Sequence, residues 1–85
     1  MMISLLQATY CEGGNFSVSF SNESEGLFDL KQYLATRNGP LLAPLKDENY
    51  VRRAFVEAGA LAWPNGLELA PERIYQLTKI LKRAA

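Results

Sequence analysis

Histidine is absent from this chain, and cysteine occurs once. The first absence removes the commonest general base at neutral pH, the commonest zinc ligand and every histidine-dependent catalytic triad. The second leaves Cys11 without a partner, so neither an intrachain disulfide nor a four-cysteine metal site can form. A lone thiol outside a disulfide framework fits a reducing cytoplasm. Net charge is missing as well: nine Lys and Arg balance nine Asp and Glu. Nucleic-acid-binding domains draw much of their affinity from a basic surplus that neutralises phosphate, so the balance argues against such a partner. No uncharged apolar run approaches about 18 residues, which predicts no membrane span. The opening "MMISLLQATYCEGG" has neither the basic start nor the long apolar core of a signal peptide, and a cytoplasmic protein is expected. No glycine-rich phosphate loop follows a strand, since Gly13-Gly14 has neither GxGxxG nor Walker spacing. Nucleotide chemistry is therefore not expected, and no other cofactor is implied.

What is present describes a packed globule. A length of 85 residues predicts one domain, and a hydrophobic content of 48% excludes bulk disorder. Ile3 to Tyr10 reads as a first strand, ended by the turn Glu12-Gly13-Gly14-Asn15. "FSVSFS" alternates strictly, with Phe16, Val18 and Phe20 on one face and Ser17, Ser19 and Ser21 on the other, the period-2 pattern of a half-buried antiparallel strand. After the polar turn Asn22 to Glu25, Gly26 to Leu30 returns as a third strand, completing a meander.

The middle of the chain is more broken. Lys31 to Ala35 predicts one short helical turn, stopped by Asn38-Gly39-Pro40. In "LLAPLKDENYVRR", Asp47 is the expected cap of a second helix that turns Tyr50 and Val51 inward. Ala54 to Glu57 and Ala60 to Trp63 are a fourth and a fifth strand. The C-terminal segment predicts a helix opened by Pro71 at its first position, with Glu72 near its positive end. At 100° per residue, Ile74, Leu77, Leu81 and Ala84 share one face, and Glu72, Gln76, Lys79 and Arg83 the opposite one. Ile80 widens the apolar arc to roughly 160°, against about 100° for an ordinary surface helix. That excess predicts a second contact for the helix, such as the other subunit of a homodimer.

Trp63-Pro64-Asn65-Gly66 reads first as a turn. Proline fixes φ near −65° as the second position of a type I turn requires, asparagine tolerates the third, and glycine takes the left-handed conformation that lets strands resume pairing. Leu61-Ala62-Trp63 and Leu67-Glu68-Leu69 are then the arms of a hairpin. The predicted architecture is α+β: a small antiparallel β-sheet, built from the N-terminal meander and the hairpin in the C-terminal half, packed with short helices and one C-terminal α-helix.

Four blocks follow one another along the chain: Phe28-Asp29-Leu30, Leu45-Lys46-Asp47, Trp63-Pro64-Asn65-Gly66 with Glu68 two positions on, and Pro71-Glu72 completed by Ile74-Tyr75. In this order they resemble a family of small bacterial proteins, domain of unknown function 2442. Three departures stand out: "SNESEG" replaces a turn that usually carries glycine, Glu68 stands for the usual aspartate, and Ala70 precedes Pro71 where a capping side chain is common. The resemblance implies the α+β fold and no established activity. It also implies one half of a two-gene cassette, since family members sit beside another small protein, and some continue into a helix-turn-helix domain for which this chain has no room.

These observations lead to a non-enzymatic protein-interaction module: a homodimer through the C-terminal helix, or an antitoxin-like or regulatory partner of a small protein encoded next door. The alternatives are a DNA-binding regulator and a small metal protein built from carboxylates. Trp63, Asn65, Gly66, Tyr75 and Ile80 are the candidate partner-binding residues, because exposed Trp and Tyr anchor interfaces. The competing reading buries Trp63 and Tyr75 against the C-terminal helix. Asp29, Asp47, Glu68 and Glu72 would supply a carboxylate pair or a divalent-metal site. Against that, Asp47 serves as a helix cap, Glu72 as a dipole partner and Asp29 as a turn or strand-end acceptor. Lys46 reads as a solvated loop charge, and Cys11, without a histidine to activate it, as a structural thiol. No catalytic or metal-ligating residue is assigned.

Overall fold

A computed structural model of the chain describes residues 3–37 and 39–83. Strands β1 (Leu5–Tyr10), β2 (Asn15–Phe20) and β3 (Glu25–Asp29) form the expected meander, each antiparallel to the next. The alternation of "FSVSF" does what period 2 requires: Phe16, Val18 and Phe20 are buried and Ser17 faces solvent. In the β2–β3 turn, Glu23 adopts a left-handed φ of 69°, and its amide donates to the Phe20 carbonyl at 3.0 Å. This is the conformation glycine takes freely, and a glutamate in it stores strain on the order of 1 kcal/mol. The Asn22 Oδ1 compensates locally by accepting from the Ser24 amide at 3.0 Å.

Helix α1 (Leu30–Leu34) follows β3 directly, then a 3-10 turn (Ala43–Lys46) and helix α2 (Glu48–Val51). Asp47 caps α2 as expected, its Oδ1 accepting from the Asn49 amide at 2.9 Å. Val51 is buried and Tyr50 half-buried. Of the expected stop Asn38-Gly39-Pro40, Asn38 lies outside the described residues; α1 has already ended at Leu34.

Strands β4 (Phe55–Glu57), β5 (Ala60–Ala62) and β6 (Glu68–Leu69) form a second antiparallel sheet, so meander and hairpin belong to two sheets rather than one. The hairpin has the predicted turn. The Gly66 amide donates to the Trp63 carbonyl at 3.1 Å, the Trp63 amide to the Leu67 carbonyl at 3.0 Å, and Gly66 has φ 91°. The two sheets meet near the start of β1, where the Leu5 amide donates to the Gly59 carbonyl at 2.8 Å. Between them lies one core, holding Phe16, Phe20 and Phe28 from the first sheet and Leu61, Trp63, Leu67 and Leu69 from the hairpin region. Ile74, Leu30, Tyr33, Leu45 and Val51 close it.

The C-terminal segment corrects the sequence reading. Helix α3 (Pro71–Leu77) starts where expected, but the chain then becomes strand β7 (Thr78–Lys82), which pairs with β3 as the fourth strand of the first sheet. Thr78 makes the switch with an extended backbone (φ −82°, ψ 132°), while its hydroxyl donates to the Ile74 carbonyl at 2.6 Å and satisfies a helix-end acceptor. "TKILK" fits a period of 2 as well as one of 3.6, and the unpaired edge of β3 decides between them. The helical face of Ile74, Leu77 and Leu81 therefore does not form, and Ala84 lies outside the described residues. Ile80 is half-buried on β7 opposite Gly26, so the wide helical arc invoked for a homodimer is absent.

Gly26 makes this pairing feasible. A Cβ there would stand 2.2 Å from the Lys79 carbonyl oxygen and 2.8 Å from Thr78 Cγ2. Gly26→Ala is expected to destabilise the protein by about 1–3 kcal/mol by overpacking, and hydrogen exchange should show lost amide protection across 79–82. Retained protection would show that β7 is not held at this contact. At the other end of the segment, Ala70 occupies the N-cap position with no side-chain hydrogen bond. Ala70→Ser and Ala70→Asp should each add about 0.5–1 kcal/mol in thermal or urea melts. An unchanged or lowered midpoint for both would mean that α3 does not begin there.

Candidate functional site

The junction of meander and helices leaves a cleft, and two of the sequence blocks build it. In Phe28-Asp29-Leu30 the two apolar residues are buried, and the Asp29 Oδ1 accepts from the Lys31 amide at 2.9 Å, which ends β3 and starts α1. In Leu45-Lys46-Asp47 the leucine is buried and the aspartate caps α2. The Leu30 amide donates to the Gly14 carbonyl at 2.9 Å and fixes α1 against the β1–β2 turn. Between these parts lies a volume of about 400 Å³, floored by Leu30, Leu34, Leu45 and Val51 and rimmed by Tyr10, Lys31, Lys46 and Glu48. That size falls within the range of small-ligand and side-chain pockets.

Tyr10 fixes one wall. Its hydroxyl donates to Glu48 Oε2 at 2.6 Å and accepts from the Gly14 amide at 3.2 Å. Its ring meets Phe16 edge-on at 5.3 Å, and the Arg52 guanidinium sits 4.8 Å from the ring centroid. Arg52 also pairs with Glu48 at 3.6 Å across one helical turn. The bond to Glu48 exists only while the phenol keeps its proton, so it holds the Tyr10 hydroxyl above the ordinary tyrosine value; partial burial adds to this, and the Gly14 amide and Arg52 oppose it. Among the described residues the Arg52–Glu48 contact is the sole ion pair. Lys31 and Lys46 thus leave the rim positive.

The residues singled out by the sequence fall elsewhere. Trp63 is 1% exposed: its ring meets Phe16 edge-on at 6.4 Å, and its Nε1 donates to the Val51 carbonyl at 3.2 Å. It has no face to offer a partner. Asn65 is exposed but engaged on three sides. Its amide donates to the Tyr50 hydroxyl at 3.0 Å, its Nδ2 to the Leu41 carbonyl at 3.1 Å, and its Oδ1 accepts from the Leu67 amide at 3.1 Å. Gly66 is exposed at the turn. Tyr75 and Ile80 belong to another region: Tyr75 packs edge-on against Phe20 at 5.0 Å and accepts from Asn22 Nδ2 at 3.3 Å, while Ile80 faces Gly26. Hydrogen bonds from Ser24 and Asn22 hold the Tyr75 hydroxyl below its ordinary value. The five residues do not form one site.

The carboxylates likewise stay apart. Asp29 and Asp47 are helix caps and Glu72 lies in the first turn of α3. Among the described residues no group of three or more Cys, Asp and Glu stands close enough to hold a metal ion. Cys11 is exposed just past β1, its Sγ 3.8 Å from the Thr9 carbonyl. Sequence reasoning missed Tyr10, Lys31 and Leu34 as cleft residues. Its one available signal was Asp47 as the expected cap of α2, which places one helix start but not the convergence of two.

The chain belongs to the family described as "Protein of unknown function (DUF2442)", whose model matches residues 6–79 and so takes in all four blocks. No curated protein and no solved structure matches the chain.

The Tyr10–Glu48 bond gives a test of the cleft wall. Because the folded state raises the Tyr10 value above 10.0, this group's stabilisation is complete below that pH and is lost as pH rises through the folded value. Tyr10→Phe should therefore lower the melting temperature by a constant amount from neutral pH to about pH 9, and the gap to the native protein should narrow in more alkaline solution. A gap that is absent, or that widens with pH, would show that the hydroxyl is not bonded to Glu48 in solution.

Proposed function

We propose that this member of the family is a non-enzymatic protein-interaction module, the antitoxin-like or regulatory partner of a small protein encoded beside it, acting in a bacterial cytoplasm. The observation that carries the reading is the convergence of two family-like blocks on a cleft with an apolar floor and a charged rim. That combination matches the anatomy of interface pockets, in which a dry apolar centre takes an anchor side chain and a polar rim sets register. The side chains lining it are aliphatic residues and lysines, with one tyrosine and one glutamate engaged on each other. The neighbouring gene enters through the cassette arrangement that the family resemblance implies. The long C-terminal helix on which the homodimer reading relied ends at Leu77, so the proposal takes the neighbouring chain as the partner.

Co-expression with each adjacent gene product tests the proposal. A tagged form of this chain should co-elute with one of them as a complex of fixed stoichiometry in size-exclusion chromatography with light scattering. Elution of this chain by itself in the presence of every adjacent product would overturn the reading.

A further inference from the structure

The cleft continues past Leu34. A second depression of about 130 Å³ lies on the far side of Leu34 and Lys46, with Arg37 and Leu42 in its walls. The two lobes share Leu34 and Lys46 and so make one groove: leucines run along its floor, and Lys31, Lys46 and Arg37 stand along its sides. All three cations are exposed. The chain as a whole is neutral, so this face concentrates positive charge. Nearby anions are already engaged. Glu48 accepts from Tyr10 and pairs with Arg52, and Asp29 and Asp47 accept from the amides that start α1 and α2. Arg37 is held with its guanidinium 5.6 Å from the Tyr33 ring centroid, which orders it at the groove wall.

We propose that this groove takes a short acidic segment of a protein partner, one that places an apolar side chain in each lobe and carboxylates beside Lys31, Arg37 and Lys46. The proposal rests on the reading of the chain as an interaction module and adds the chemistry of what it binds. Two lobes separated at Leu34 suit two anchors on one extended chain better than a single compact molecule. Cations distributed along the groove favour charge that is likewise distributed. A basic segment would be repelled along the whole length, so the same charges that attract one partner exclude another.

Selection from a random dodecapeptide display library against the immobilised protein tests this, with a Lys31→Glu/Lys46→Glu double variant as the counter-target. Both positions are exposed, and an amide spectrum that changes only around the groove would establish that the variant is folded. The expected result is a consensus rich in Asp and Glu with two apolar positions. Binding of a synthetic peptide of that consensus should weaken about tenfold or more in the variant. It should weaken similarly as salt rises from about 0.1 M to about 1 M, where the screening length falls from about 10 Å to about 3 Å. Amide shifts on titration should centre on Leu30, Leu34, Leu45 and Lys46. No enrichment, a consensus without acidic residues, or equal binding to the double variant would each overturn the proposal. Saturable binding of sodium laurate with no enriched peptide would do so too, assigning the larger lobe to a small amphipathic anion. Co-elution with an adjacent gene product that survives the double substitution unchanged keeps the interaction module and removes the groove as its docking site. Acidic peptides that bind while every adjacent product fails keep the groove and remove the paired neighbour.

Discussion

The Trp63 side chain joins the hairpin to the meander and to α2 through the core, away from the backbone contact of Leu5 with Gly59 where the two sheets meet. Its ring meets Phe16 in the middle of the first sheet, and its Nε1 donates to the carbonyl of Val51 at the end of α2. One residue thus docks the hairpin onto the meander and holds the helix that forms a wall of the cleft. Asn65, two positions on, repeats the arrangement at the surface by bonding the Tyr50 hydroxyl and the Leu41 carbonyl. The Trp63-Pro64-Asn65-Gly66 turn is therefore the clamp on the stretch between α1 and β4, whose 3-10 turn and α2 are too short to hold their place on the sheets by their own hydrogen bonds. In a domain this small, where total stability is a few kcal/mol, losing one such buried aromatic removes a large share of it.

The parts of the fold that were legible in the sequence are those governed by short-range chemistry. Strict alternation from Phe16 to Phe20 places those side chains without reference to anything distant. Pro64 and Gly66 specify a turn by backbone geometry alone, and Asp47 caps a helix because its carboxylate reaches an amide two residues away. Strand β7 is different. Residues 78–82 satisfy a helical stripe and a strand alternation equally well, and a local reading favours the helix because α3 precedes them. The deciding fact is distant: β3 has a free edge, and Gly26, with no Cβ, lets the Lys79 carbonyl come close. Pairing 50 to 57 residues apart leaves no mark on local periodicity; here its one trace is a glycine inside a strand.

The cleft shows the same division. Phe28-Asp29-Leu30 and Leu45-Lys46-Asp47 could be recognised as blocks, and the capping function of Asp47 could be anticipated, whereas Asp29, expected as a turn or strand-end acceptor, caps α1. That both helix starts open onto one volume depends on α1 and α2 packing around the β1–β2 turn, through the Leu30 amide on Gly14 and the Tyr10 hydroxyl on Glu48. Tyr10 is 38 residues from its partner and carried no sequence pattern that would have paired the two.

Sorting each block by intramolecular role narrows where function can lie. Phe28, Leu30 and Leu45 are core, Asp29 and Asp47 are caps, and Trp63 and Asn65 are clamps. In the fourth block Pro71 opens α3, Ile74 is core, and Tyr75 packs on Phe20 and accepts from Asn22. Lys46 has no such role: its side chain is exposed, and among the described residues no carboxylate lies within ion-pair distance. Lys31 stands in the same position one residue beyond the first block. A fold that needs nearly every residue of its blocks for itself leaves these two cations over the apolar floor. The reading of the groove as a docking site starts from them rather than from the more conspicuous tryptophan.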